Sequence, residues 1–124
     1  MTLALLKIYF VIVSFKAMID DRAILYYTTS IEMVLKELRG EKDVSQSRVN
    51  IEFEQEYGFS ISLGRMESNS NFKMIKLLYI CDYFNMSVPD FFKRVANIKE
   101  DEIMKFLKEK EAKKQKRKSI KKNK

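Results

Sequence analysis

Apolar positions recur every three to four residues along most of this chain, the spacing of helices that each bury one side. The series Ile24, Leu25, Tyr27, Ile31, Val34, Leu35 and Leu38 predicts a first helix. Thr29 and Ser30 are available to cap its second part and Gly40 to stop it, and Glu41, Lys42 and Asp43 form a polar loop. In the stretch 44–67, Ser45 is a good N-cap, and Val44 and Val49 take the two positions of a hydrophobic staple around it. Val49 and Phe53 then share one face, while Arg48, Glu52, Gln55 and Glu56 are left to water. Gly58 can adopt the positive φ that ends a helix, and Ser60 can cap a second, short one that carries Leu63 and Met66 inward. Two short helices joined by a glycine turn are the outline of a helix-turn-helix.

The run SNSN at 68–71 is a turn by composition, with Asn69 suited to a left-handed conformation. Asn71 can cap a helix from Phe72 to Phe84 with the apolar stripe Met74, Leu77, Leu78, Cys81 and Phe84, and Asn85 ends it. Ser87 opens another helix, 88–95, with Pro89 in the first turn, where its missing N–H costs nothing, and Asp90 at the third position. Met86 and Phe91 staple that start, and Phe91, Phe92 and Val95 face inward. After Lys99, the last apolar groups are Ile103, Met104, Phe106 and Leu107, on a helix whose acidic start and basic end suit its dipole. Past Ala112, blocks of like charge predict a chain without fixed structure.

Residues 1–15 are nearly all apolar, interrupted by Lys7. They fall short of the roughly 20 apolar residues that span a bilayer, and no basic segment or small-residue cleavage site marks a signal peptide. Three readings stay open: a helix or strand packed on the domain or its dimer mate, a membrane-associating segment, or an over-extended start with the true one at Met18. Membrane association is thus disfavoured for 1–15 without being excluded.

At 124 residues, with three glycines and one proline, the chain predicts one mostly helical domain with added ends. The divisions are an apolar extension at 1–23, a domain at 24–98, and a charged helix with a lysine-rich tail at 99–124. One cysteine, Cys81, excludes an internal disulfide framework, points to a reduced, cytosolic setting, and sits on an apolar helical pattern as a small buried hydrophobe. With no histidine, His-based metal sites and triads are absent. No cofactor or small-molecule ligand is implied, and no constellation supports an enzyme; paired acids such as Glu54 and Glu56 read as a solvated helix face. The net charge of +7 is uneven: residues 1–98 carry 12 basic and 12 acidic groups, and 99–124 carry 12 and 5. The excess therefore lies in the tail, which would raise affinity for a polyanion without choosing sequence. No aromatic residue interleaves its lysines, so a single-strand stacking platform is not supported.

The ordered strings Leu38-Arg39, Ser45-Gln46, Met66-Glu67 and Phe84-Asn85-Met86-Ser87, spread over 31–95, resemble the XRE/Cro, lambda-repressor-like helix-turn-helix family. Two departures stand out: more residues than usual separate Ser45 from Gly58, implying a longer helix two, and Asn69 stands where the family has glycine. The resemblance implies an all-α, lambda-repressor-like five-helix bundle whose recognition helix enters the major groove, and a homodimer meeting half-sites about 34 Å apart. Carried over by position, Gln46, Ser60, Ile61, Ser62 and Arg65 are candidates for base contact. Arg65 leads, since a guanidinium can pair two-pronged with guanine. Arg48, Asn71, Lys73 and Lys76, flanking that helix, are candidates for phosphate contact. Glu67 reads as structural, bonding backbone or an arginine such as Arg39, and Gly64 permits close approach of helix two or of DNA. The implied function is a sequence-specific, double-stranded-DNA-binding transcriptional regulator, a repressor, in the cytoplasm and associated with the nucleoid. The alternative is a protein-interaction or membrane-proximal adaptor that keeps the fold without base readout.

Overall fold

The computed structural model describes residues 20–68 and 71–122, so the readings for 1–15 and for Asn69 lie outside the described residues. Among those described there are six helices and no strand: α1 (Asp21–Lys42), α2 (Gln46–Tyr57), α3 (Leu63–Ser68), α4 (Met74–Tyr83), α5 (Val88–Asn97) and α6 (Glu100–Lys122). None is long and apolar enough to cross a membrane.

Helix α1 begins earlier than its apolar series, because Asp20 caps it by accepting the Ala23 N–H at 2.8 Å. Gly40 does not stop it. A glycine inside a helix costs only about 1 kcal/mol; the stop comes at Asp43, whose φ of 53° is left-handed and whose N–H donates to the Arg39 and Gly40 carbonyls. Thr29 and Ser30 are not caps either. They are buried mid-helix, and their hydroxyls donate to the Leu25 and Tyr26 carbonyls at 2.6 and 2.8 Å. Val34, Leu35 and Leu38 reach the core, whereas Ile24, Leu25 and Tyr27 stay exposed.

Helix α2 follows its expected course: Ser45 Oγ accepts the Arg48 N–H at 3.1 Å, Val49 and Phe53 are fully buried, and Gly58 ends the helix with φ 78°. The aromatic rings of Tyr57, Phe59 and Tyr79 pack around Phe53, the latter two edge-on. Helix α3 opens two residues later than Ser60 would place it. Ser62 is the cap, its Oγ accepting the Arg65 N–H at 3.4 Å. The Leu63 N–H, the first in the helix, donates to Asn50 Oδ1 at 2.9 Å, so α2 itself fixes where α3 begins.

Asn71 does not cap α4, which starts at Met74 with Lys73 at the cap position and no side-chain bond there. Asn85, at φ 54°, follows its end. The buried side of α4 is Leu77, Ile80, Cys81 and Tyr83, while Met74 and Leu78 from the expected stripe are exposed. The helix is apolar nearly all round, so periodicity leaves its inward face undecided. In α5, Ser87 Oγ accepts the Asp90 N–H at 3.2 Å, and Phe91 and Val95 are buried. The largest departure is α6, which stays helical to Lys122 where an unstructured tail is expected past Ala112. Lysine is a good helix former, and the docked first turns supply the nucleus that an isolated segment lacks.

The helices close around one core of Val34, Leu35, Val49, Phe53, Leu63, Ile80 and Phe91, all fully buried. Helix α1 is the central post, touching α3, α5 and α6, while α2 lies on α3 and α4 on α5.

Candidate nucleic-acid interface

The site is built on a buried carboxylate. Glu67, in α3, is 2% exposed and takes Arg39 Nε from α1 at 2.9 Å on one oxygen and the Gln46 side-chain amide from α2 on the other. A buried charge is tolerated when paired and hydrogen-bonded, and this one ties α1, α2 and α3 together. Gly64 belongs to the same joint: a Cβ there would stand 3.2 Å from Gln46 Oε1, so its absence lets the start of α2 lie against α3.

So held, α3 forms one wall of an open groove of about 820 Å³. Ser60, Ser62 and Arg65 come from this side; Asn71, Lys73 and Lys76 come from the approach to α4 and its first turns. Six of the nine candidates therefore meet here as accessible groups. Ile61 also lines the groove but is only 7% exposed and belongs to the core, so its side chain forms wall rather than reading edge. Gln46 is spent on Glu67, and Arg48 is paired with Glu52 at 2.9 Å; neither lines the groove. Met66, Ser68 and Phe72 line it too, beyond the positions that the sequence points to. Phe72, just ahead of α4, is partly buried against the core and lines the groove as well.

The charges are sorted. Of the five arginines in residues 20–98, four are held by carboxylates: Arg22 by Glu100 at 3.1 Å, Arg39 by Glu67, Arg48 by Glu52, and Arg94 by Glu41 at 2.8 Å. Pairing raises the pKa of the Arg22, Arg48 and Arg94 guanidinium groups, with Tyr26 the largest influence on Arg22. Glu52 accepts from the Tyr83 hydroxyl as well as from Arg48, and the two bonds hold its carboxyl below the usual range. Arg65, by contrast, forms no ion pair among the described residues, and nor do Lys73 or Lys76. No acidic residue among those described lines their groove. An open, cationic, acid-free concavity with hydroxyls and an amide on its rim is chemically fitted to a polyanion.

Among the described residues no group of three or more His, Cys, Asp or Glu could hold a metal. Compared with known protein families, curated proteins and solved structures, the chain matches none.

Proposed function

We propose that the protein is a sequence-specific regulator that binds double-stranded DNA as a homodimer, with α2, residues 58–62 and α3 acting as a helix-turn-helix of the XRE type. The observation that carries the reading is Arg65: the one arginine before α6 without a carboxylate partner among the described residues lies in a groove with two free lysines and no acid. Arg65 pairs with a guanine edge in the major groove, Ser60 and Ser62 read adjacent positions weakly through hydroxyls, and Lys73, Lys76 and Asn71 take phosphates. A specific contact of this kind is worth about 1–3 kcal/mol against the wrong base. Base readout is therefore thin, and affinity leans on phosphates.

The test begins with selection from a random duplex pool. An operator with two-fold symmetry is expected, and Arg65→Ala should weaken binding to it about tenfold or more while weakening random duplex far less. Equal losses on both DNAs would remove the base-reading role. A second reading, a protein-interaction domain of the same architecture, draws on Met74, Ile75 and Leu78, which leave an exposed apolar side on α4. Selection without enrichment of any site would favour it.

A further inference from the structure

Residues past Ala112 carry most of the positive charge of α6, and the fold gives that charge a direction. Up to Lys110 the helix is docked. Ile103 is buried, Glu100 accepts from Arg22 and from the Tyr26 hydroxyl, and Lys36 Nζ lies 4.7 Å from the Phe106 ring centre. Lys110 Nζ then reaches the buried Glu32 at 2.9 Å and the Ser68 carbonyl at 3.2 Å. Ser68 lines the cationic groove, so Lys110 fixes the point at which α6 leaves the body, at the groove's margin. From Glu111 to Lys121 every side chain is exposed. Lys114, Arg117, Lys118 and Lys121 stand at i, i+3, i+4 and i+7, which is one side of a helix, and together line a shallow hollow. None of the four forms an ion pair among the described residues.

We propose that residues 111–122 are a rigid cationic arm whose Lys114–Lys121 face lies along the phosphates of duplex DNA beside the segment held in the groove. The proposal rests on the groove being a duplex-binding site. At about 1.5 Å rise per residue the four cations extend over about 10 Å, a length along which duplex DNA carries on the order of six charges. A membrane surface fits less well: such a helix needs an apolar face, and Ile120 is the single large apolar residue from 111 to 122. As a continuous helix the arm contributes its charges in a fixed place, which a flexible tail would not.

The experiment measures the salt dependence of binding of the full chain to a random-sequence 30-bp duplex. The variant Lys114→Gln/Arg117→Gln/Lys118→Gln/Lys121→Gln should flatten the slope of log K against log salt by about 3–4, at about 0.9 for each phosphate no longer neutralised. Gln115→Pro keeps every charge and leaves the docked turns intact, but removes a helix bond and clashes with the Glu111 carbonyl; it should flatten the slope nearly as much. A fourfold variant with the original slope would overturn the arm, and Gln115→Pro with the original slope would overturn its rigidity. Loss of binding to vesicles of phosphatidylserine and phosphatidylcholine, with duplex binding unchanged, would replace DNA by a bilayer as the partner. The groove is scored separately with Arg65→Gln/Lys73→Gln/Lys76→Gln: a slope flattened here but kept in the fourfold variant means that only the arm fails. The reverse pattern means that only the groove fails. Circular dichroism at the assay temperature verifies that each variant retains the bundle.

Discussion

Replacing Arg39 by methionine takes the charged partner from a carboxylate whose side chain is 1% exposed. Removing one member of a buried pair costs about 3–5 kcal/mol, mostly because the other charge is left buried and uncompensated. Glu67 keeps the Gln46 amide, and Arg39 is itself 28% exposed, so the loss should sit near the lower end, about 3 kcal/mol. In a domain of this size each kcal/mol moves the midpoint by about 4–8 °C, so Arg39→Met should lower Tm by about 12–24 °C in thermal unfolding followed by circular dichroism. The diagnostic comparison is Arg39→Met/Glu67→Met, which removes the stranded charge and fills its space with an apolar chain. If electrostatic stranding is the cause, the double variant recovers at least about half of the loss, since apolar replacement of a whole buried pair is often neutral or better. A double variant as unstable as Arg39→Met, or more so, would refute the reasoning and place the loss in packing around α3.

Two further outcomes follow from the titratable groups. The carboxyl of Glu52 is held low by the Tyr83 hydroxyl and Arg48, so its contribution is present above the ordinary carboxylate pKa and fades as pH falls through the lowered folded value. Glu52→Gln should therefore be less stable than the parent protein at neutral pH in urea unfolding, with the gap closing in acid; a gap independent of pH would mean that the bonds contribute by shape alone. Cys81 is buried, and that burial pushes its thiol up. Its reaction with a thiol reagent at pH 8 should be slow in the native protein and fast in denaturant, and equal rates would place the α4 face of the core in water.

Where local chemistry suffices, the elements are legible in the residues alone. Ser45, Gly58, Ser87 and Asn85 cap or end helices where their side chains and backbone freedom predict. Arg39 is one of the partners that the family resemblance offers for Glu67, beside the backbone, and the burial of the carboxylate is why it needs one. The site is legible as a set of positions rather than as a set of roles. Gln46 and Ile61 have the residue types of a reading face and Arg48 that of a phosphate contact, but Gln46 bonds Glu67, Ile61 is buried in the core and Arg48 pairs at the surface with Glu52. Residue type alone does not say which donor has already been used inside the fold.

What the sequence by itself determined is the order and kind of most elements: helices throughout the described residues, one buried cysteine, no histidine, and an excess of charge confined to its last quarter. These depend on spacing and on contacts within a few residues. Tertiary structure decided which face of α4 turns inward and that Arg65, Lys73 and Lys76 share one groove. It also decided that the lysine-rich end continues α6 as helix to Lys122, beyond the Lys110 contact to the Ser68 carbonyl, rather than forming an unstructured tail. The physical reason is that these three are settled by partners distant in the chain, whereas α1 runs past Gly40 and ends locally, where the Asp43 N–H donates to the Arg39 and Gly40 carbonyls. Packing against α5 and against the Phe53 ring of α2 selects a face on a helix that is apolar nearly all round, and the Lys110 contacts to Glu32 and Ser68 anchor the helix ahead of charges that would otherwise repel one another into an extended chain.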